Sequence, residues 1–240
     1  MRNDGREFDA LRPITIQRRF TAAPAGSVLW TQGKTVILAT ASVTPEVPKW
    51  FPPTRVGGWL TAEYVMLPAS TPQRKAWPST GHTDSRGTEI QRLIGRALRA
   101  AVDLSKLGKN TLALDCQVLQ ADGGTRTASI CAAYVALADA LAAIDAPAAL
   151  NQPMAAVSVG CVKGEALLDL DYSEDSRAEV DMNVAYTADG KFVEVQGSAE
   201  DGGGFDRKGL DAMLDLAVVG CKQLLALQKR SLGDIIPQLT

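Results

Sequence analysis

"TLALDCQVLQADGGTRTASICAAYVALADALAAI", Thr111–Ile144, sets the architecture. Leu112, Leu114, Cys116 and Val118 recur at every second position, the period of a strand with one buried face. From about Thr127 to Ile144 the chain is rich in alanine and leucine and reads as a helix. Between them Asp122-Gly123-Gly124 turns the chain, and Thr125-Arg126-Thr127 opens the helix. The first amides of a helix have no partners inside it, and glycine lets a ligand come close to the backbone. Gly124, the Thr125 hydroxyl and the Arg126 guanidinium at such a helix start form an anion site whose fork matches phosphate. Read alone, the stretch also fits a plain turn capped by Thr125, and the Walker pattern is absent.

Working outward, "ITIQRRF" alternates as a strand, and "GSVLWTQGKTVILATASV" reads as a hairpin turning at Gln32-Gly33. Pro45–Gly87, rich in proline and glycine, is the least regular segment; a loop of that length is functional or an assembly surface. From Thr88 to Leu107 a stripe of Ile90, Leu93, Ile94, Ala97 and Leu98 predicts a helix, with a capping box at Thr88 and Gln91 and a stop at Gly108. "AAVSVGCVKGEALLDLDY" and "VDMNVAYTADGKFVEVQGS" read as hairpins turning at Lys163-Gly164 and Asp189-Gly190. A helix over about Asp206–Leu232 follows. Strands then helix, twice over, predict an α+β fold of mixed sheets with helices packed on them, in which two similar halves fit the pattern.

The composition is that of an ordinary globular chain, with 46% hydrophobic and 22% charged residues and a formal net charge of −2. Its apolar runs are short and interrupted, which predicts no bilayer-spanning segment. The polar "MRNDGREFDALRP" lacks the apolar stretch of a secretory signal, so the expected location is cytoplasmic. Cys116, Cys131, Cys161 and Cys221 sit among apolar neighbours without a C-x-x-C spacing and read as buried free thiols. His82 is the one histidine, which leaves little for a histidine triad or a His-rich metal site. Chemistry must then use carboxylates, arginines, backbone amides or a cofactor.

Two further clusters stand out. Arg86 lies at a helix entrance, where an anion is welcome, while Arg92, Arg96 and Arg99 share one helix face that is either an arginine platform or a solvated charged stripe. "DLDYSEDSRAEVDMNV", Asp169–Val184, carries six carboxylates, a density that is costly unless they are solvated, protonated or neutralised. Asp175 and Asp181 are placed to face one another across a turn and hold Mg²⁺; the segment also reads as an acidic surface loop.

Taken in order, "RNDGREFDALRP", "GSVL" with "ILATASV", "GWLTAEYVMLP", "SRGTEIQRLIGRALRA", "LDCQVLQADGGTRTASI", "LDLDYSEDSRAEVDMNV" and "EVQGSAE" resemble the ribonuclease PH family over nearly the whole chain. The resemblance implies a single ribonuclease PH domain over 1–240, of the ribosomal protein S5 domain 2-like type. It implies a phosphorolytic 3′→5′ exoribonuclease that trims transfer RNA precursors, also described as a tRNA nucleotidyltransferase. Residue by residue, it makes Arg86, Gly124, Thr125 and Arg126 the binders of inorganic phosphate, and Asp175 and Asp181 the catalytic, Mg²⁺- or Mn²⁺-holding pair. It implies a homo-hexameric ring, a trimer of dimers, with RNA as partner and no membrane. Arg74, Arg92, Arg96 and Arg99 are the candidate RNA contacts; with only 5% aromatic residues, backbone recognition is expected over base reading. One departure is Ala69 in "MLPASTPQRKAW", where the family often has arginine. Two other readings fit less of the pattern: a non-catalytic, RNA-binding ring subunit of exosome type, and a hydrolytic two-metal nuclease.

Overall fold

The computed structural model describes residues 2–77, 84–200, 202–233 and 235; His82 lies outside them. In chain order the elements are β1 (Ile14–Arg18), β2 (Gly26–Gln32), β3 (Thr35–Thr44), β4 (Trp59–Met66), α1 (Ser85–Ala101), β5 (Thr111–Gln120) and α2 (Thr125–Ala143). There follow β6 (Met154–Val162), β7 (Glu165–Leu168), the short α3 (Tyr172–Asp175), β8 (Val180–Thr187), β9 (Phe192–Ala199) and α4 (Arg207–Leu232). The strands form two sheets, ordered β1-β2-β3-β5-β4 and β7-β6-β8-β9.

Among the described residues all strand pairings are antiparallel except β4 with β5. That parallel pair needs a crossover, and α1 supplies it. β4 corrects the sequence expectation, because it lies inside the stretch read as irregular. Its buried Leu60, Ala62 and Tyr64 alternate, a strand signal overshadowed by the flanking prolines and glycines. The β2–β3 turn is Gly33-Lys34, one residue later than expected, since Gln32 pairs with Thr35. The turn at Lys163-Gly164 is as read: both residues have positive φ, 55° and 77°, as a type I′ hairpin requires. The halves share the order strands-then-helix but differ in detail, since only the first has a β-α-β crossover.

α2 is the shared core. It packs on β2, β3 and β5 of the first sheet and on β6 and β8 of the second, and every residue from Thr127 to Leu141 is buried. A helix enclosed on all sides must be apolar all round. For that reason α2, at 19 residues and mean hydropathy 1.2, is long and apolar enough to cross a membrane, contrary to the sequence expectation; 83% of that window is buried inside the protein. Its one buried acid, Asp139, is paired with Arg18 at 2.6 Å. Gly26 lets β2 approach closely, because a Cβ there would stand 1.9 Å from the Ala136 carbonyl oxygen. α4 covers the other face of the second sheet, against β6, β7 and β8. Cys116, Cys131 and Cys221 are buried free thiols and Cys161 is half-buried; burial pushes Cys116 and Cys131 up to about 12.

α1 starts earlier than the periodicity suggests. Asp84, not Thr88, is the N-cap, its carboxylate accepting from the Gly87 N–H at 3.0 Å. The helix ends at Ala101, and Leu104–Leu107 forms a separate 3₁₀ turn closed by Gly108. Arg86 therefore sits in the first turn of α1 rather than ahead of it.

Candidate active site

A cleft of about 760 Å³ opens where the first turn of α2 meets the second sheet. Arg86, Gly124, Thr125, Arg126, Asp175 and Asp181, all singled out from sequence, line it, and Arg74 reaches it from the loop after β4.

The Gly-Gly turn is built for close approach. Gly123 and Gly124 have φ of 76° and 63°, and a Cβ on Gly123 would lie 2.5 Å from the Leu170 carbonyl oxygen. Gly124 is the N-cap of α2, so among the described residues no side chain caps that helix start, and its first turn carries no acid. The partial positive charge there is left for a ligand. The turn's carbonyls are held from behind: Arg12 donates to Asp122 O and Gly123 O, and the Thr35 hydroxyl donates to Gly123 O at 2.7 Å. Thr125 Oγ1 accepts from the Tyr64 hydroxyl at 3.0 Å. Arg126 Nη1 donates to Gln196 Oε1 at 3.0 Å and lies 3.8 Å from Glu89.

Of the six carboxylates between Asp169 and Asp181, most are answered within the fold. Asp169 accepts from Arg12 Nη2 at 2.6 Å and from Gln32 Nε2 at 2.8 Å. Glu174 pairs with Arg2 at 2.6 Å, both side chains buried. Asp171 caps α3, its carboxylate accepting from the Glu174 N–H, while Glu174 accepts from the Asp171 N–H. Glu179 accepts from the Gly164 N–H and the Cys161 thiol. Asp175, the last residue of α3, and Asp181 on β8 are the two turned to the cleft. Burial raises the Asp175 carboxyl above the usual range against the pull of Arg86 and Arg126. Burial, reinforced by the Asp175 charge, pushes Asp181 up to about 6. Among the described residues no group of three acids, histidines or cysteines could hold a metal; Asp175 and Asp181 stand as a pair.

Sequence reasoning missed the arginines behind the site. Arg2, Arg6 and Arg12 neutralise Asp169 and Glu174 across a large sequence separation. The sequence carries an R-x3-R-x5-R spacing in "RNDGREFDALR", but nothing local pairs it with residue 169. Arg92, Arg96 and Arg99 do not line the cleft. Arg92 is exposed, Arg96 pairs with Glu194 at 2.9 Å, and Arg99 stacks over Trp59 at 5.2 Å while donating to Leu60 O. Ala69 is exposed on the loop that carries Arg74 and Lys75 to the cleft rim.

Two family models match this chain: the 3′ exoribonuclease family domain 1 over residues 10–142 and its domain 2 over residues 152–229. Ribonuclease PH of Mycobacterium sp. (strain KMS) is 55% identical, covering 98% of this chain and 93% of its own length. Ribonuclease PH of Corynebacterium kroppenstedtii is 52% identical, with 99% and 95% covered. Among solved structures, the Archaeoglobus fulgidus exosome with RNA bound to the active site superposes with a TM-score of 0.79 at 26% identity, over 93% of this chain and 91% of that one. Rice Rrp46 shares the fold, with a TM-score of 0.81 at 19% identity, over 96% of this chain and 99% of that one. With both family models matched in order and relatives this similar end to end, the chain belongs to the 3′ exoribonuclease family, that of ribonuclease PH.

Proposed function

We infer that this chain is a phosphorolytic 3′→5′ exoribonuclease, a tRNA nucleotidyltransferase, that uses inorganic phosphate to release nucleoside 5′-diphosphates from RNA 3′ ends. The observation that carries this reading is the cleft itself. It gathers the start of α2, the guanidiniums of Arg74, Arg86 and Arg126, and the two raised carboxyls of Asp175 and Asp181 into one space.

In this reading the first-turn amides of α2, the Thr125 hydroxyl and the guanidiniums of Arg86 and Arg126 seat phosphate in line with the last phosphodiester. Holding two reactants in line supplies as much as about 7–11 kcal/mol of barrier lowering. Tyr64 fixes the Thr125 side chain, and Gln196 with Glu89 fixes Arg126. Asp175 and Asp181 are the candidate holders of Mg²⁺ or Mn²⁺. The donor set fits a hard ion that takes one or two carboxylates with water and phosphate, and the mutual repulsion at Asp181 is what a cation would relieve. When bound, such an ion supplies charge neutralisation at the scissile phosphate and the leaving 3′ oxygen. Phosphodiester and diphosphate are close in energy, so nucleotide addition in the reverse direction is expected.

Transfer RNA precursors are the proposed substrates, and the cytoplasm the proposed location. The continuous core around α2 supports treating 1–240 as one domain. We propose a homo-hexameric ring, a trimer of dimers, in which Arg92, Arg96 and Arg99 of several subunits join Arg74 in an RNA-facing basic surface. The test is a phosphate titration against a short 3′-tailed RNA with products separated. Diphosphates that appear only with phosphate support phosphorolysis. Monophosphates without phosphate indicate hydrolysis, and RNA binding with no product indicates a non-catalytic ring subunit.

A further inference from the structure

The second sheet turns a polar face to the cleft. Ser158 on β6 stands opposite Asn183 on β8, and Asn183 opposite Gln196 on β9; one step along, Gly160 faces Asp181. Cross-strand partners share a face, so Ser158, Asn183, Asp181 and Gln196 project together. Gln196 holds Arg126, and Asp181 is one of the two cleft acids. Ser158 is different. It is 2% exposed, it lines the cleft, and its Oγ has no hydrogen-bond partner among the described residues.

A buried hydroxyl left unpaired is costly, and native folds rarely keep one without use. Among the described residues its polar neighbours are engaged elsewhere, the Thr127 hydroxyl donating to Gly124 O at 3.1 Å. The Arg12 guanidinium, close to Gly124, is committed to Asp169, Asp122 O and Gly123 O. Ser158 Oγ lies 3.4 Å from where a Cβ on Gly124 would stand. Arg12 Nη2 lies 2.9 Å and Thr127 Oγ1 3.6 Å from the same point, so the Ser158 hydroxyl sits directly beside the start of α2 in a polar setting.

We propose that Ser158 Oγ donates a hydrogen bond to the anion seated at the start of α2. The helix amides and the two arginines approach that anion from other sides; Ser158 approaches from the sheet. A tetrahedral phosphate presents four oxygens, and a rotatable hydroxyl on the sheet reaches one that the guanidiniums leave open. The proposal rests on the phosphate seat argued above, and it makes Ser158 a binding residue of that seat, contributed by the second half of the chain.

The test compares Ser158→Ala and Arg126→Ala, using inorganic phosphate as the probe in thermal-shift and steady-state assays. Ligand-free Ser158→Ala should melt at or above the parent temperature, because the change removes an unpaired buried hydroxyl. Its phosphate-induced melting shift should shrink, and its KM for phosphate should rise about ten- to a hundred-fold, the range of a hydrogen bond to a charged group. Its KM for RNA should stay as in the parent. A parent-like phosphate KM and melting shift in Ser158→Ala, with Arg126→Ala impaired, overturns the role of Ser158 alone. If Arg126→Ala also responds to phosphate like the parent, the seat lies elsewhere and the functional reading falls with it. A lower ligand-free melting temperature with an unaltered phosphate KM assigns Ser158 to the fold and overturns the proposal.

Discussion

Asp181→Asn should stabilise the ligand-free protein at neutral pH while destroying its function. Burial and the Asp175 charge raise this carboxyl from 3.8 to about 6. A group with a raised folded pKa favours folding when protonated. Its contribution is complete below the unfolded value of 3.8 and is lost as pH rises through about 6. Across that window the full shift corresponds to at most about 3 kcal/mol, since one unit is about 1.4 kcal/mol. Between pH 4.5 and 7.5 about 2 kcal/mol of this is expressed, and residual solvation of a partly exposed group lowers it to about 1–2 kcal/mol. Asparagine is neutral throughout, so the variant should gain most at the higher pH. For a chain of this size the extra gain at pH 7.5 over pH 4.5 is about 2–8 °C in melting temperature. The assay is scanning calorimetry in chelator without phosphate, parent against variant, at both values. An equal gain at the two pH values would refute the reasoning, since a pH-independent effect cannot come from suppressed ionisation.

Arg126→Ala should keep its melting temperature within about 1 °C, because its partners Gln196 and Glu89 are partly solvated, and should lose phosphorolysis by about 10²–10³-fold in kcat/KM for phosphate; product quantification at fixed RNA checks this. Asp169→Ala strands the buried Arg12 and should cost about 3–5 kcal/mol, read as a lower denaturation midpoint. Arg74→Ala should weaken RNA binding uniformly across sequences and lower the salt slope by about one, with the phosphate KM unchanged; filter binding at several salt concentrations measures it.

Local patterns carried most of the fold. The alternation of Leu112 to Val118 and the runs around Lys163-Gly164 and Asp189-Gly190 mark strands, because period and turn chemistry are written locally; most bounds match within a residue or two, but β7 ends at Leu168 rather than at Tyr172, since Asp169 turns the chain with a positive φ of 55°. β4 escaped because Gly57-Gly58 and Pro68 bracket it so closely that loop signals outweigh its alternation. The cap of α1 was misplaced because Asp84 and Thr88 both fit a helix start, and only the Asp84–Gly87 hydrogen bond decides. At the cleft, residue types and order named Arg86, Gly124, Thr125, Arg126, Asp175 and Asp181, and the fold brings all six together. Arg2, Arg12 and Ser158 were not legible. Their significance lies in tertiary partners, or in the lack of one, and no window of sequence contains that.

Arg12 joins the Asp169 carboxylate, just after β7, to carbonyls of the turn between β5 and α2, and Arg2 meets Glu174 across 172 residues. Neither half of the chain, expressed by itself, would contain both ends of that clasp. A gene split between β5 and β6 should thus yield two fragments that are inert apart and regain chemistry only on mixing, and during synthesis the reaction centre must wait until the ribosome has delivered the second sheet.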